Sequence, residues 1–464
     1  MNRQFFWLIV CIITVISRPL FSQPAQKLVL SLKQCEEMAL KNNPLMKDAE
    51  LSVEKARIKE HQAVAAAILP KFELSNIWGA LPRARARYTS TGVLISPDTA
   101  TGLSDLRVFT QLDVDLVQPI YTFGKLSNLR QAAEFGVDVS EAGVEKQEAE
   151  IRLLIRKLYW GIVLGKELQE VIQDAQKKVA EAEDKLNEKL DEGSEDVSQN
   201  DLFKLQIFKY EVNKKAREIE ENMAIARHTL LATLGVDKSV EFEPKAPYLD
   251  PVSVVLDSLP VYIALAMERR PELVQLRAGM GATRALVGVS RSDFYPQFFL
   301  AGGLKYNYAP GRDDPRNPWV YNPTNFFRPG LVLGIRLNLN FSQTRSKVRL
   351  AENKYQTLSN KENLLLHKVE LDIRKKYLAV LNAEKNIRES EKALKASENW
   401  LRSVSMSFDL GLAEVKELID AYKANSTMKG EHLRNIFTYN VLIAELSNEI
   451  GYDLYSQTTT NHQE

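Results

Sequence analysis

From Leu331 to Phe341 the chain alternates without a break. Leu331, Leu333, Ile335, Leu337, Leu339 and Phe341 share one face; Val332, Gly334, Arg336, Asn338 and Asn340 share the other. A period of two predicts a strand with one oily face and one largely wet face. The alternation recurs in 106–121, where Val108, Thr110, Leu112, Val114 and Leu116 oppose Arg107, Gln111, Asp113 and Asp115. Elsewhere the period is helical. No proline occurs between Pro119 and Pro244, or after Pro329. In the first of these stretches Ile151, Leu154, Leu158, Gly161, Gly165, Leu168, Ile172, Ala175, Val179, Ala182 and Leu186 follow 3-4 spacing. In the second, Leu366, Val369, Ile373, Val380, Ala383, Ile387, Leu394, Leu401, Val404 and Phe408 do so, broken by Lys376, Ser390 and Ser397. Sustained heptads predict coiled-coil packing. The breaks at 191–196 ("DEGSED") and 409–414 ("DLGLAE") turn each stretch into a helix out and a helix back. An outgoing arm of roughly 65 residues makes a rod of roughly 100 Å.

The pattern is written twice. "ALKNNP" (39–44) answers "AMERRP" (266–271), and Pro70 and Pro296 each precede a strand-like run, "FELSNIWGA" and "QFFLAGGLKYNY". Proline suits that place because it stops a helix and tolerates the first residue of a strand. Each copy closes with "TLGV" (233–236) or "EIGY" (449–452), and 237–260, with four prolines, reads as the linker between copies.

Composition narrows the function. Lys plus Arg (61) balances Asp plus Glu (60), so nothing points to nucleic acid. Five scattered histidines argue against a metal cluster, and no cofactor is implied. Residues 1–22, with Arg3 ahead of an apolar run from Phe5 to Ile16, read as an export signal, because the run is too short to span a bilayer. Cys35 is then alone in the exported chain, as a buried helix residue. Since no later segment is apolar enough for a membrane helix, membrane entry would require a barrel. "GIVLGKE" (161–167) has three residues between its glycines where a phosphate loop needs four, and "GMGATR" (279–284) lacks the third glycine of a dinucleotide site. Gly161 and Gly165 read instead as small residues that let helices approach. "PRARARY" (82–88) and loop 309–327 read as solvated surface.

These pieces, in this order, resemble the TolC-type outer-membrane efflux proteins over roughly residues 30 to 452: "LSLKQCEEMALKNNP" the opening helix, "ILPKFELS" the entry to the first strand, "LVQPIYTFGK" the strand-to-helix turn. The resemblance implies a mainly α fold with a small β part. Long antiparallel coiled-coil hairpins would form an α-barrel, and four transmembrane strands per chain would join a twelve-stranded barrel shared by a homotrimer. The expected divisions are the signal (1–22), N-terminal helices (23–70), first β-hairpin (71–121), first helical hairpin (122–236), linker (237–260), second-repeat helices (261–295), second β-hairpin (296–341), second helical hairpin (342–452) and a tail (453–464). The chain would be the exit duct of a tripartite efflux or type I secretion system. Its partners would be outer-membrane lipid, a periplasmic adaptor and an inner-membrane pump.

The same resemblance suggests sites. Phe408, Glu417 and Asp420, with Asp201 opposite Glu417 in the first copy, are gate and lumen candidates. Ala413 stands where the family pattern has a basic residue, which puts a cross-gate link in doubt. Gly193, Asp196, Gly411 and Glu414 are adaptor-docking candidates at the helix tips. Asp113, Asp115, Arg336, Asn338 and Asn340 are the barrel's lumen face, since a water-filled pore tolerates polar groups that lipid does not. Tyr121, Tyr306, Tyr308, Trp319, Phe326 and Phe327 suit an interfacial girdle or ordinary loop packing. Two rivals stand beside this reading: a periplasmic coiled-coil adaptor without a barrel, and an exported enzyme, for which no catalytic constellation stands out.

Overall fold

The structure is a computed structural model that describes residues 27–84, 87, 88, 91, 93–96, 105–192, 197–237, 240–314, 317 and 319–455. The expected signal, Gly193 and Asp196 lie outside them. The elements run β1 (Lys27–Leu30), α1 (Leu32–Asn42), α2 (Pro44–Ile68), β2 (Lys71–Pro82), β3 (Arg87–Tyr88), β4 (Leu94–Ser96), β5 (Leu106–Tyr121), α3 (Lys125–Asp191) and α4 (Gln199–Leu234). There follow β6 (Glu241–Pro244), α5 (Leu259–Arg269), α6 (Pro271–Ser292), β7 (Gln297–Tyr308), β8 (Phe326–Arg336), α7 (Phe341–Asp409) and α8 (Val415–Ile450). They divide into two compact units, one of residues 1–49, 144–271 and 366–464, the other of 50–143 and 272–365.

In the first unit Leu30, Cys35, Ala39, Ile155, Tyr159, Ile162, Leu230, Leu234 and Phe242 make one core. Part of it was not legible in sequence: β1 pairs in parallel with β6. The expected linker 237–260 is therefore packed structure at its start, with Phe242 and Leu249 buried. The predicted stripe on α3 also needs correction. Ala175, Val179, Ala182 and Leu186 are buried as expected, but nearer the core the buried line is Ile151, Ile155, Tyr159 and Ile162, and Leu154 is 40% exposed. There α3 packs with residues of β1, α1, α4 and β6 together, so a different set of its positions is buried. Gly165 is a close contact, as expected: a Cβ would run into the Met223 side chain.

The short helices end where their sequence says they must. Asn43 and Arg270 are extended C-caps directly before Pro44 and Pro271, because proline disfavours the helical conformation in the residue ahead of it. Against these ends sit Gly235 (φ +68°) and Gly451 (φ +71°), the C-caps of α4 and α8. A Cβ would come within 3.0 Å of the Asn42 carbonyl at the first and 2.8 Å of the Arg269 carbonyl at the second. Only glycine combines that backbone with that approach.

Several buried polar groups in this unit are matched by partners distant in the chain. Arg156, 3% exposed, donates to Glu36 at 2.6 Å and to both oxygens of Asp453 at 2.9 and 2.8 Å, with its guanidinium 4.0 Å above the Tyr455 ring. Burial works against charge on Asp453, but the Arg156 hydrogen bonds and charge outweigh it and hold the carboxyl below its ordinary range. Asn440, fully buried, accepts from the Val252 amide (2.9 Å) and donates to the Asp250 carbonyl (2.9 Å). Glu243 takes Lys27 and Lys166, whose hydrogen bonds lower its pKa to about 2.

The second unit carries a four-stranded antiparallel sheet in the order β2-β5-β7-β8. α6 lies against α3 and α7: a Cβ on Gly281 would meet the Phe135 ring, one on Gly288 the Asn128 side chain, and Arg291 bonds Glu352 at 2.7 Å. Among the described residues no helix is long and apolar enough to cross a membrane.

Candidate functional site

The sheet has two chemically distinct faces. Opposed residues in an antiparallel pair point the same way, so register assigns each side chain. One face carries Phe72, Leu74 and Trp78 of β2, Val108, Leu112, Val114 and Leu116 of β5, Leu300 and Leu304 of β7, and Phe327, Leu331, Leu333 and Ile335 of β8. Many of these large apolar side chains are fully open: Leu74 is 69% exposed, Leu331 72% and Trp78 72%. The opposite face carries Glu73, Ser75, Gln111, Asp113, Asp115, Lys305, Arg328 and Arg336. An open, oily, two-dimensional face on three strands of 11–12 residues and one of 16 is what a tilted membrane crossing requires. Among the described residues β2 and β8 each keep one edge unpaired.

Asp113, Asp115 and Arg336 thus fall together on the polar face. Asn338 and Asn340 do not: the strand predicted at 331–341 lies at Phe326–Arg336. Its partner β7 begins at Gln297, directly after Pro296, so 337–340 have nothing to pair with. Instead the Asn340 amide donates to Asn338 Oδ1 (3.0 Å) in a local turn that leads into α7.

Of the predicted aromatics, Tyr121, Tyr306, Tyr308 and Phe327 are exposed near strand ends, and Trp319 is in the loop between β7 and β8, 94% exposed. A further cluster escaped the sequence reading. Phe123 lies between Tyr121 (4.7 Å between centroids) and Tyr295 (5.1 Å, stacked), and Phe294 stacks on Phe341 at 6.4 Å. Phe123 adopts φ +49° and Gly124 φ +84°, the turn that converts β5 into α3 in "YTFGK"; Lys125 braces it by bonding Asp293 at 2.7 Å. The aromatic spacing in "DFYPQFF" was the available signal.

The helix tips separate the remaining candidates. Phe408 does not project. It is buried in the tip core with Leu186, Leu205, Val404, Val415 and Leu418, and Lys189 Nζ lies 4.8 Å over its ring. It follows Val404 by four residues on the same packed stripe, so the helical period wins over the gate assignment. Asp201 and Glu417 occupy the same position, third residue of a returning helix, after N-caps Ser198 and Glu414. Their surroundings differ. Asp201 closes a capping box with Ser198 and bonds Lys204 at 3.0 Å. The Lys204 hydrogen bond, then Ser198, hold its carboxyl below the ordinary range. Glu417 and Asp420 are exposed, with no side-chain partner among the described residues. Gly411 (φ +74°) and Glu414 form the exposed turn between α7 and α8, flanked by exposed Leu410 and Leu412.

The three apparent breaks in the α7 stripe are rungs. Lys376 bonds Glu445, Ser390 Oγ lies 3.0 Å from His432 Nδ1, and Asn425 donates to Ser397 Oγ at 3.2 Å. Each pairs α7 with α8 in step along an antiparallel seam.

The chain thus holds two features: a sheet with one oily, exposed face, and long antiparallel helix pairs. Residues 262–435 match the family described as outer membrane efflux protein. The fold matches CmeC, the outer-membrane channel of Campylobacter jejuni, at a TM-score of 0.74 and 16% identity, covering 93% of this chain and 88% of that one. It matches the outer-membrane protein VceC of Vibrio cholerae at 0.72 and 18%, covering 91% and 96%. The open state of the outer-membrane channel MtrE from Neisseria gonorrhoeae gives 0.72 and 14%, covering 91% and 89%. No curated protein matches in sequence. The resemblance read from the residues is borne out: residues 262–435 match the outer membrane efflux protein family in sequence, and the fold follows those outer-membrane channels along nearly all of the chain.

Proposed function

We propose that the chain is the outer-membrane exit duct of a tripartite efflux or type I secretion system, handing cargo from a periplasmic adaptor and inner-membrane pump to the exterior. The observation that carries this is the four-stranded sheet, oily and exposed on one face, polar on the other, with an open edge at β2 and at β8. Four strands do not enclose a pore, and open edges do not persist in lipid, so copies of the chain complete one another. A homotrimer with twelve strands answers both demands. The polar face, with Asp113, Asp115 and Arg336, is then the lumen wall. The order helix, helix, two strands of the large sheet, helix, helix occurs twice in the described chain, with the short β3 and β4 inserted between the first two strands, which supports an internal two-fold repeat. The adaptor-without-barrel reading leaves this sheet unexplained.

At the far end of the rods, Glu417 and Asp420 remain the gate candidates, because they are exposed and uncommitted. Three copies would make a ring of six carboxylates that favours cations. Gly411 and Glu414, with Gly193 and Asp196 of the first tip, are the proposed adaptor-docking turn. An exported enzyme is disfavoured because the family consists of channel proteins.

Adjacent residues on opposite faces test the duct directly. Leu74→Arg places charge on the lipid face and is expected to abolish assembly into the outer membrane. Ser75→Arg, one residue on, is expected to assemble normally. Equal recovery of both from outer-membrane fractions would refute the face assignment.

A further inference from the structure

The polar face of the sheet is not polar throughout. Near the ends of the strands that lead into the helices, Val117, Ala301 and Val332 stand in one cross-strand row, and Pro119, Phe299 and Gly334 in the next. These six make a continuous apolar band on the side assigned to water. Phe299 lies flat on the wall: a Cβ on Gly334 would come 2.5 Å from its ring Cζ. Glycine here lets the ring cover the backbone instead of standing into the bore. Val332 is 60% exposed and Val117 37%, so among the described residues the valine part of the band is open, while Arg336 lies over the Phe299 ring. A contiguous apolar patch on a wetted surface marks an interaction site.

Charge borders the band on both sides, and Lys71 ends the Val117 row itself. Towards the loops, the next row holds Glu73 and Asp115. Lys71 sits 3.6 Å from Glu73. On the helix side, Arg336 is held over the Phe299 ring at 5.2 Å. Asp115 has no partner among the described residues. It is exposed and leans over Gly303, where a Cβ would be 3.4 Å from its Oδ1. An apolar shelf beside an uncommitted carboxylate selects a ligand with an apolar or aromatic body and a positive group.

We propose that this band is a contact site for amphipathic organic cations, whose body lies on Val117 and Val332, beside Phe299, while the cation reaches Asp115. The site rests on the exit-duct reading, which puts this face on the lumen. Three copies would form a collar just inside the helical end of the barrel, a loose sequence of contacts that cargo can enter and leave.

The test uses the full-length channel in planar bilayers with three matched probes: benzyltrimethylammonium, benzenesulfonate and tetramethylammonium. Benzyltrimethylammonium is expected to reduce ion current in a saturable manner, and the other two are not. Val332→Thr with Val117→Thr keeps the β-branched shape while removing apolarity, and Asp115→Asn removes the charge; each should weaken the block about fivefold. Gly334→Val should lift the ring and lower conductance with no probe present. Unchanged block in both the valine and Asp115 variants, or equal block by benzenesulfonate, overturns the site while leaving the duct intact. A wild-type protein that carries no current overturns the duct reading and the site with it.

Discussion

The two helical hairpins have nearly equal lengths, 67 and 36 residues for α3 and α4 against 69 and 36 for α7 and α8, yet they are held differently. The first is closed by apolar layers: Val179, Ala182 and Leu186 against Leu205, Phe208 and Val212, with polar pairs such as Gln176–Asn213 at its margin. The second interleaves apolar layers with polar rungs at Lys376, Ser390 and Ser397. Apolar layers supply stability without directional constraint. Polar rungs add little net energy but penalise every register except the one that satisfies them. The first tip is also tied by a capping box, whereas the second leaves its acids free. One hairpin is built as the fixed post, the other as the one with defined positions along its seam.

This contrast can be broken at three places, in falling order of effect. Leu186→Ala, at a fully buried site of the first seam, should cost about 2–5 kcal/mol, while Ser397→Ala in the second, which removes a hydroxyl and leaves Asn425 without its acceptor, should cost about 1 kcal/mol. Denaturant midpoints of the detergent-purified protein measure both, and equal losses would erase the distinction. Next, Asp201→Ala opens the capping box and should cost about 1 kcal/mol. Its effect depends on pH with a definite sign. The folded-state carboxyl is held below its ordinary value, so its contribution is complete above that ordinary value, about 3.9, and fades as pH falls through the lowered one. Wild type and variant should therefore converge in stability in strong acid. Last, Glu417→Ala with Asp420→Ala should change stability by less than about 0.5 kcal/mol, as exposed sites do, yet reduce cation preference in single-channel reversal potentials. An unaltered preference would remove both residues from the conducting path.

The long elements were legible because their periods are long. About ten residues of alternation within 106–121 and ten turns of heptad leave little room for another reading, and the prolines at 44, 70, 271 and 296 mark where one element gives way to the next. Three things were hidden, each for a physical reason. The end of β8 depends on where its partner begins, so alternation that continues through Leu337 and Leu339 carries no information about pairing. The pair β1–β6 joins four-residue strands more than 200 positions apart, too short to show a period. Polar residues on a buried stripe look like interruptions until the matching polar residue on the returning helix is known; Lys376, Ser390 and Ser397 were noticed as breaks and are seams. Buried hubs such as Arg156 and Asn440 carry no local signature, because their partners Glu36, Asp453, Val252 and Asp250 are distant in the chain.

The bare margins of β2 and β8 have a kinetic consequence. A solitary copy in the periplasm would carry two lines of unsatisfied amides and carbonyls beside a greasy plane, a combination that invites adhesion to any extended segment it meets. On the trimer proposed above, encounter between copies and entry into lipid must therefore follow each other closely. The rate of successful biogenesis should climb more steeply than linearly with the supply of newly exported chains, until escorting chaperones, rather than collisions, set the pace.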